Sequence, residues 1–178
     1  KKSKIFLQLF HAGRLTVEEI VKSKPVAPSS IRPFSSSSFW RPEINKKIVN
    51  FQTFTEYTSP DELSLDSIKK IISQFKNACA LAKETGFDGV ELHGAHGYLI
   101  HLFCNKDTNN RSDAYRADDK FSFVRELVAE CKDALGEKVL SYRMSQHMVD
   151  NPFMKYDESR YNFTTLTKIL DETISIEF

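Results

Sequence analysis

Hydrophobic residues recur along this chain in two modes, short continuous runs and longer stretches with helical spacing. Residues 5–10 (Ile-Phe-Leu-Gln-Leu-Phe) are apolar except for one glutamine, which predicts a buried strand. Helical periodicity is weak over residues 12–60. That stretch holds Pro25, Pro28, Pro33 and Pro42, a run of serines beginning at Ser35, and a β-like segment at residues 48–57. Ordinary connections span about 4–6 residues, so this one predicts an excursion with short strands of its own, its serines forming a flexible loop.

Regular spacing returns at Ser64. Leu65, Ile68, Ile71, Ile72, Phe75, Cys79 and Ala82 follow one helical face. Ser64 is placed to cap this helix, Asp66 suits its first turn, and Gly86 can end it. Residues 87–92 read as a strand, 120–135 as a helix closed by Gly136, 138–143 as a strand, 161–170 as a helix and 174–178 as a last strand. Alternating strands and helices predict an α/β fold with parallel strands and right-handed crossovers. A (β/α)8 barrel and a doubly wound open sheet both satisfy this. A barrel takes about 250 residues, so four strands are half of one. Either the sheet is open, or the chain belongs to something larger.

Composition narrows the class. The chain has 178 residues, 40% hydrophobic and 28% charged, as expected of a folded domain. Its 25 Lys plus Arg against 24 Asp plus Glu leave a charge of +1, giving no general drive toward nucleic acid or anionic membrane. No apolar run approaches the roughly 20 residues of a membrane span, and the N-terminus carries no signal-peptide core. Cys79, Cys104 and Cys131, odd in number and far apart, argue against a disulfide framework or zinc ribbon. These features predict a soluble, cytoplasmic, globular chain.

The candidate chemistry centres on residues 87–100. The strand delivers His93 at its carboxyl end, where α/β proteins place catalytic side chains. His93 and His96, three apart, are expected to share one side of a helical turn. Gly94, Ala95 and Gly97 add little bulk, which would let a flat ligand approach the backbone, and Tyr98 places a phenol beside them. The histidines could equally be core residues or half of a metal site, although no carboxylate is clearly placed to complete one. Glu91 reads as well as a sheet or ion-pair residue. Gln8, inside an apolar strand, needs partners for its amide. Either a core polar network or a heterocycle with alternating donors and acceptors would supply them. Arg14 and Arg143 lie at or just beyond strand ends, where they would favour an anion or make structural ion pairs.

Together these segments resemble the old yellow enzyme family of FMN-dependent ene-reductases, in its NADH:flavin oxidoreductase branch. Three blocks carry the resemblance: Phe6-Leu-Gln-Leu-Phe-His-Ala-Gly-Arg14, Gly86-Phe-Asp-Gly-Val-Glu-Leu-His-Gly-Ala-His-Gly-Tyr-Leu-Ile100, and Tyr142-Arg-Met-Ser145. Asn110-Arg-Ser-Asp-Ala-Tyr115 is similar to the family's Asn-x-Arg-x-Asp-x-Tyr stretch. The resemblance implies a (β/α)8 TIM barrel with FMN over the carboxyl ends of the strands. Residues 1–178 would form a partial barrel domain covering strands three to six.

The resemblance also implies roles. Gln8 would hydrogen-bond the flavin pyrimidine ring, and Arg143 would sit near the flavin N1 and C2 carbonyl. His93 and His96 would donate to the substrate's carbonyl oxygen, and Tyr98 would take the proton-donor or substrate-orienting position. The implied cofactors are FMN with NADH or NADPH as reductant, and no metal. The implied partner is a small-molecule enone or related electrophile, with neither nucleic acid nor membrane, and a homo-oligomer is left open for the full-length protein. Hydride would pass from NAD(P)H through flavin to an α,β-unsaturated carbonyl compound. The alternatives are a truncated non-catalytic remnant of such an enzyme and, ranked lower, a metal-dependent barrel hydrolase using His93 and His96.

Two departures stand out. After Tyr115 the family usually continues with paired glycines; here Arg116 and Ala117 exclude a turn needing positive φ. Strands one, two, seven and eight are missing, so the 178 residues alone are expected to bind FMN weakly or not at all.

Overall fold

The chain begins with β1 (Phe6–Leu9), a 3-10 turn (Gly13–Leu15), α1 (Glu18–Val21), β2 (Val26–Ala27) and β3 (Asp61–Glu62). It continues through α2 (Leu65–Glu84), β4 (Gly89–His96), α3 (Leu99–Cys104), α4 (Ser122–Leu135), β5 (Val139–Met148), α5 (Phe163–Asp171) and β6 (Ser175–Glu177). This computed structural model describes residues 3–33, 57–148, 156–171 and 175–177. Most of the β-like segment at 48–57, the serine run and Pro42 lie outside the described residues. The expected excursion has short strands, β2 pairing with β3.

The main sheet has the order β1-β4-β5-β6, and every neighbouring pair is parallel. Its strands appear in chain order, with no reversal. A doubly wound sheet reverses at its switch point and so carries helices on both faces. One-way winding with right-handed crossovers puts every helix on the same face. That is the geometry of a barrel wall, and the four strands form half of one.

Burial follows the same division. Val90 and Leu92 of β4 and Leu140, Tyr142 and Met144 of β5 pack in one core cluster with α2, α3, α4 and α5. In α2, Ile68, Ile71, Ile72, Phe75, Cys79 and Ala82 are buried, and Ser64 caps the helix by accepting the Ser67 N–H at 3.1 Å. Leu65, expected on that face, is instead 49% exposed at the helix start. Phe123, Val124, Leu127, Val128, Cys131 and Leu135 form the buried face of α4, which packs on α2. Each fully buried Leu or Ile contributes about 1.5–3 kcal/mol. The Lys69–Glu126 and Lys76–Glu130 pairs lie across the same helix contact, where exposed pairs contribute at most about 1 kcal/mol each.

β1 is not the buried strand its composition predicts. Its burial alternates, and Phe6 (41%) and Phe10 (56%) are exposed. Among the described residues it pairs only with β4, and Leu7 and Leu9 are its side chains packed against the core.

The Asn109–Tyr115 stretch is a lock, and the asparagine that fits the Asn-x-Arg-x-Asp-x-Tyr spacing is Asn109 rather than Asn110. Asn109 Nδ2 donates to the carbonyls of Phe103 and Tyr115, while Arg111 donates to Asp113 and to the carbonyls of Pro28 and Leu63. It ties the β2–β3 excursion to the end of α3. The loop after Tyr115 turns without glycine, its only positive φ being Phe121 at 49°.

Candidate functional site

The face away from the helices carries the polar residues. Side chains alternate across a strand, so Glu91 and His93 share this face with their register partners. Gln8 aligns with Glu91, Glu91 with Ser141, and His93 with Arg143. The rows change character toward the carboxyl ends. Phe6, Gly89 and Val139 form an apolar rung, Gln8, Glu91 and Ser141 a polar one, and His93 and Arg143 a basic one.

Gln8 is exposed on this face rather than buried. Its Nε2 donates to Glu91 Oε1, so Glu91 fixes the amide's orientation and leaves the Gln8 carbonyl oxygen available. Arg143 is also exposed, beside His93. Arg14 is elsewhere: it is 4% exposed and its Nη1 donates to the Ile31 carbonyl at 3.1 Å, inside the excursion. The expected choice between an anion and an ion pair is therefore resolved toward structure for Arg14.

His93 is 7% exposed. Its Nδ1 accepts the Ala95 N–H at 3.3 Å, so the neutral ring carries its proton on Nε2. Burial first, then the nearby positive charges of His96 and Arg143, push its pKa below the ordinary histidine value. The ring stays a neutral donor at physiological pH.

Aromatic rings surround it. Tyr98 stands edge-on to His93 with centroids 5.0 Å apart, His96 lies at 5.5 Å, and Phe10 is 6.0 Å from His93 and 5.3 Å from Tyr98.

The two histidines meet for a different reason from the one their spacing suggests. β4 runs on through His96, with a register shift between Gly94 and His96. His96 and Gly97 then take φ of 58° and 83°, and the Tyr98 N–H closes on the Ala95 carbonyl at 3.2 Å. This is a tight turn with two left-handed centres, as in type I′, rather than a helical turn. The Leu99 N–H reaches back to the His11 carbonyl at 2.9 Å and fastens the ends of β1 and β4 together.

Gly94 does not open the backbone to a flat ligand. A Cβ there would lie 2.1 Å from Cζ of Tyr142, on the helix side of the sheet. Its missing side chain is taken up by core packing.

The five residues singled out from sequence, Gln8, His93, His96, Tyr98 and Arg143, therefore converge on one face and its carboxyl-end rim. Phe10, the orienting role of Glu91 and the Ser145 contact with His96 were missed. Phe10 lies two residues beyond Gln8, so strand parity alone would have found it. Among the described residues no group of three or more His, Cys, Asp or Glu side chains could hold a metal, and all three cysteines are free and buried.

Residues 1–177 match the family described as NADH:flavin oxidoreductase / NADH oxidase. An NADH oxidase from Thermoanaerobacter brockii is 38% identical over 147 residues, covering 80% of this chain and 20% of that protein. The NADPH dehydrogenase of Bacillus subtilis is 36% identical over 132 residues, 73% of this chain and 32% of its own length. A putative 12-oxophytodienoate reductase 11 from Oryza sativa subsp. japonica is 32% identical over 157 residues, 86% of this chain and 39% of that one.

Among solved structures, the old yellow enzyme homologue from Zymomonas mobilis superposes with a TM-score of 0.77 at 24% identity, over 98% of this chain and 47% of that one; this is a likeness of fold. Morphinone reductase gives 0.68 at 27% identity, over 81% of this chain and 38% of its own. The chain thus spans less than half the length of these relatives. Its sheet is part of their (β/α)8 barrel, and the chain belongs to the NADH:flavin oxidoreductase / NADH oxidase family.

Proposed function

We propose that the full-length protein is an FMN-dependent oxidoreductase that reduces α,β-unsaturated carbonyl compounds at the expense of NADH or NADPH. The observation that carries this reading is the locked tautomer of His93. Its Nδ1 is held by a backbone amide, which leaves Nε2–H as the donor of a ring that lies beside His96 and Tyr98 and one rung beyond Gln8 and Glu91.

The inner face fits a flavin in its donor set. Glu91 occupies one N–H of Gln8 and leaves an acceptor and a second donor, the pattern a pyrimidine edge complements. Arg143, exposed beside His93, would place permanent positive charge against the end of the ring that becomes negative. When bound, FMN supplies the hydride chemistry, accepting hydride from the nicotinamide and delivering it to the substrate's β-carbon. This chain's residues do the rest. His93 and His96 donate to the carbonyl oxygen as charge grows there, and one such donor is typically worth about 100-fold or more in turnover. Tyr98 would give a proton to the α-carbon, a role worth roughly 100- to 10,000-fold, or orient the substrate.

Purified full-length protein should be yellow, release FMN on denaturation, bleach anaerobically with NADH or NADPH, and regain colour with 2-cyclohexen-1-one as cyclohexanone forms. Reoxidation by oxygen but never by the enone would refute the substrate class. The alternative reading is a non-catalytic remnant of such an enzyme, whose site residues are inherited. A colourless protein that takes up no FMN would establish it. The metal-dependent hydrolase finds no third ligand near His93 and His96 among the described residues.

A further inference from the structure

The turn carrying His96 places a non-glycine residue at positive φ, which costs about 1–2 kcal/mol and persists only where the surroundings over-determine it. Its amides are satisfied individually. His96 N–H goes to Ser145 Oγ at 2.9 Å and Tyr98 N–H to the Ala95 carbonyl at 3.2 Å. The remaining amide, that of Gly97, goes to a side chain on the following helix, His101 Nδ1, at 3.2 Å.

His101 is fully buried and is the third residue of α3. The N-cap of this helix is Tyr98, whose side chain makes no capping bond. A third-position side chain reaching back to an amide is the idea of a capping box, but here the imidazole takes the amide one residue before the N-cap instead of the N-cap's own. The other ring nitrogen, Nε2, has no hydrogen-bond partner among the described residues, and the ring leans on Tyr161 with centroids 4.7 Å apart. An orphaned buried donor costs about 1–3 kcal/mol. An apolar side chain would avoid that cost, so the distinctive contribution of the imidazole is the Nδ1 acceptor. Burial pushes the ring's pKa down to about 3, so Nδ1 stays an acceptor at any working pH.

We infer that His101 is a positioning residue, holding the Gly97 amide so that the left-handed turn fixes His96 and Tyr98 against His93. This rests on the reading of those three as the substrate-side site. It predicts that what matters at position 101 is an acceptor where Nδ1 stands, more than ring or volume.

The test uses the full-length, flavin-loaded protein with His101→Asn, whose amide oxygen can occupy the Nδ1 position, and with His101→Leu and His101→Phe, which lack an acceptor. Steady-state kinetics with 2-cyclohexen-1-one are paired with hydrogen exchange of the 95–99 segment by mass spectrometry. His101→Asn should keep kcat/KM within about threefold of the parent with unchanged exchange. Leu and Phe should lose about tenfold or more in kcat/KM and exchange that segment about tenfold faster, the size expected for one lost hydrogen bond. Parental kinetics and exchange in Leu or Phe would overturn the inference. So would equal losses in all three variants, or failure of both acceptor-lacking variants to fold, since each points to packing alone. If the parent itself turns over no enone, the functional reading fails and the exchange pattern still decides the role of His101.

Discussion

Ser145 on β5 accepts the backbone N–H of His96 at 2.9 Å, while its own hydroxyl donates to the His147 carbonyl at 2.9 Å. The contact crosses the sheet where the β4–β5 register shifts, and it secures a residue whose φ of 58° few side chains tolerate. Asn is among the residues that adopt this region readily, and β-branched residues resist it. His96→Asn should therefore fold with a midpoint close to the parent's, whereas His96→Val should lose about 1–2 kcal/mol in urea denaturation. Equal stability of the two variants would show that the turn relaxes.

Gly94 is dictated by Tyr142. A Cβ at 2.1 Å from the Tyr142 ring cannot be accommodated by a small shift, since that ring is fully buried beneath α3 and α4. Gly94→Ala should cost about 1–3 kcal/mol by overpacking, seen as a lowered Tm. Adding Tyr142→Ala should recover part of that Gly94 penalty, because the two substitutions share one volume.

Acid should destabilise the fold before its carboxylates titrate. His11, His93 and His101 all have pKa values below the ordinary 6.5, each through burial first, with His101 at about 3. The unfolded chain therefore binds protons that the folded chain refuses. Stability is fully present above pH 6.5 and declines as pH falls toward 3, with a slope of up to about 1.4 kcal/mol per pH unit from His101 alone. Asp113, held low by Arg111, adds the same sign only near pH 4 and below. Urea denaturation of the full-length protein at pH 7.5, 6.5, 5.5 and 4.5 should reveal this slope, and His101→Leu should flatten it.

If the proposed function holds, His93→Ala should lower kcat for enone reduction by about 100-fold or more while flavin content stays at the parental level, because that reading gives His93 to the substrate and the flavin contacts to Gln8 and Arg143. Stopped-flow kinetics with NADPH and then enone separate the two half-reactions. An unchanged oxidative half-reaction would remove His93 from its role.

The 178-residue chain should bind FMN weakly or not at all. Among its described residues the candidate flavin contacts are the Gln8 amide and the Arg143 guanidinium, whereas phosphate in this fold is usually held by the loops after strands seven and eight. A fluorescence titration of FMN with this chain and with the full-length protein gives the comparison. Tight binding by the shorter form would sink the expectation.

Periodicity located α2 and α4 closely, down to the residues of their buried faces, because those helices pack on a single core. It failed at β1, whose apolar run looks buried, since a strand's second face depends on neighbours that the run itself does not encode. It failed again at His93 and His96. Spacing of three suggests a helix, but the outcome turns on Ser145 and His101, residues 49 and 4 positions away from their amide partners. The Gln8 amide attracted attention through its chemistry, while Glu91, its actual partner, reads as an ordinary sheet residue until the register is known.

The separation between Gln8 and Glu91 is 83 residues, most of it excursion and α2. At a ribosomal rate of roughly 5–20 residues per second, the first strand emerges roughly 4–17 s before its mate. During that interval the edge of β1 that pairs with β4 has no partner. The nascent polypeptide therefore presents a row of unsatisfied backbone groups to chaperones, or to another emerging copy, before the strand that covers it has been translated.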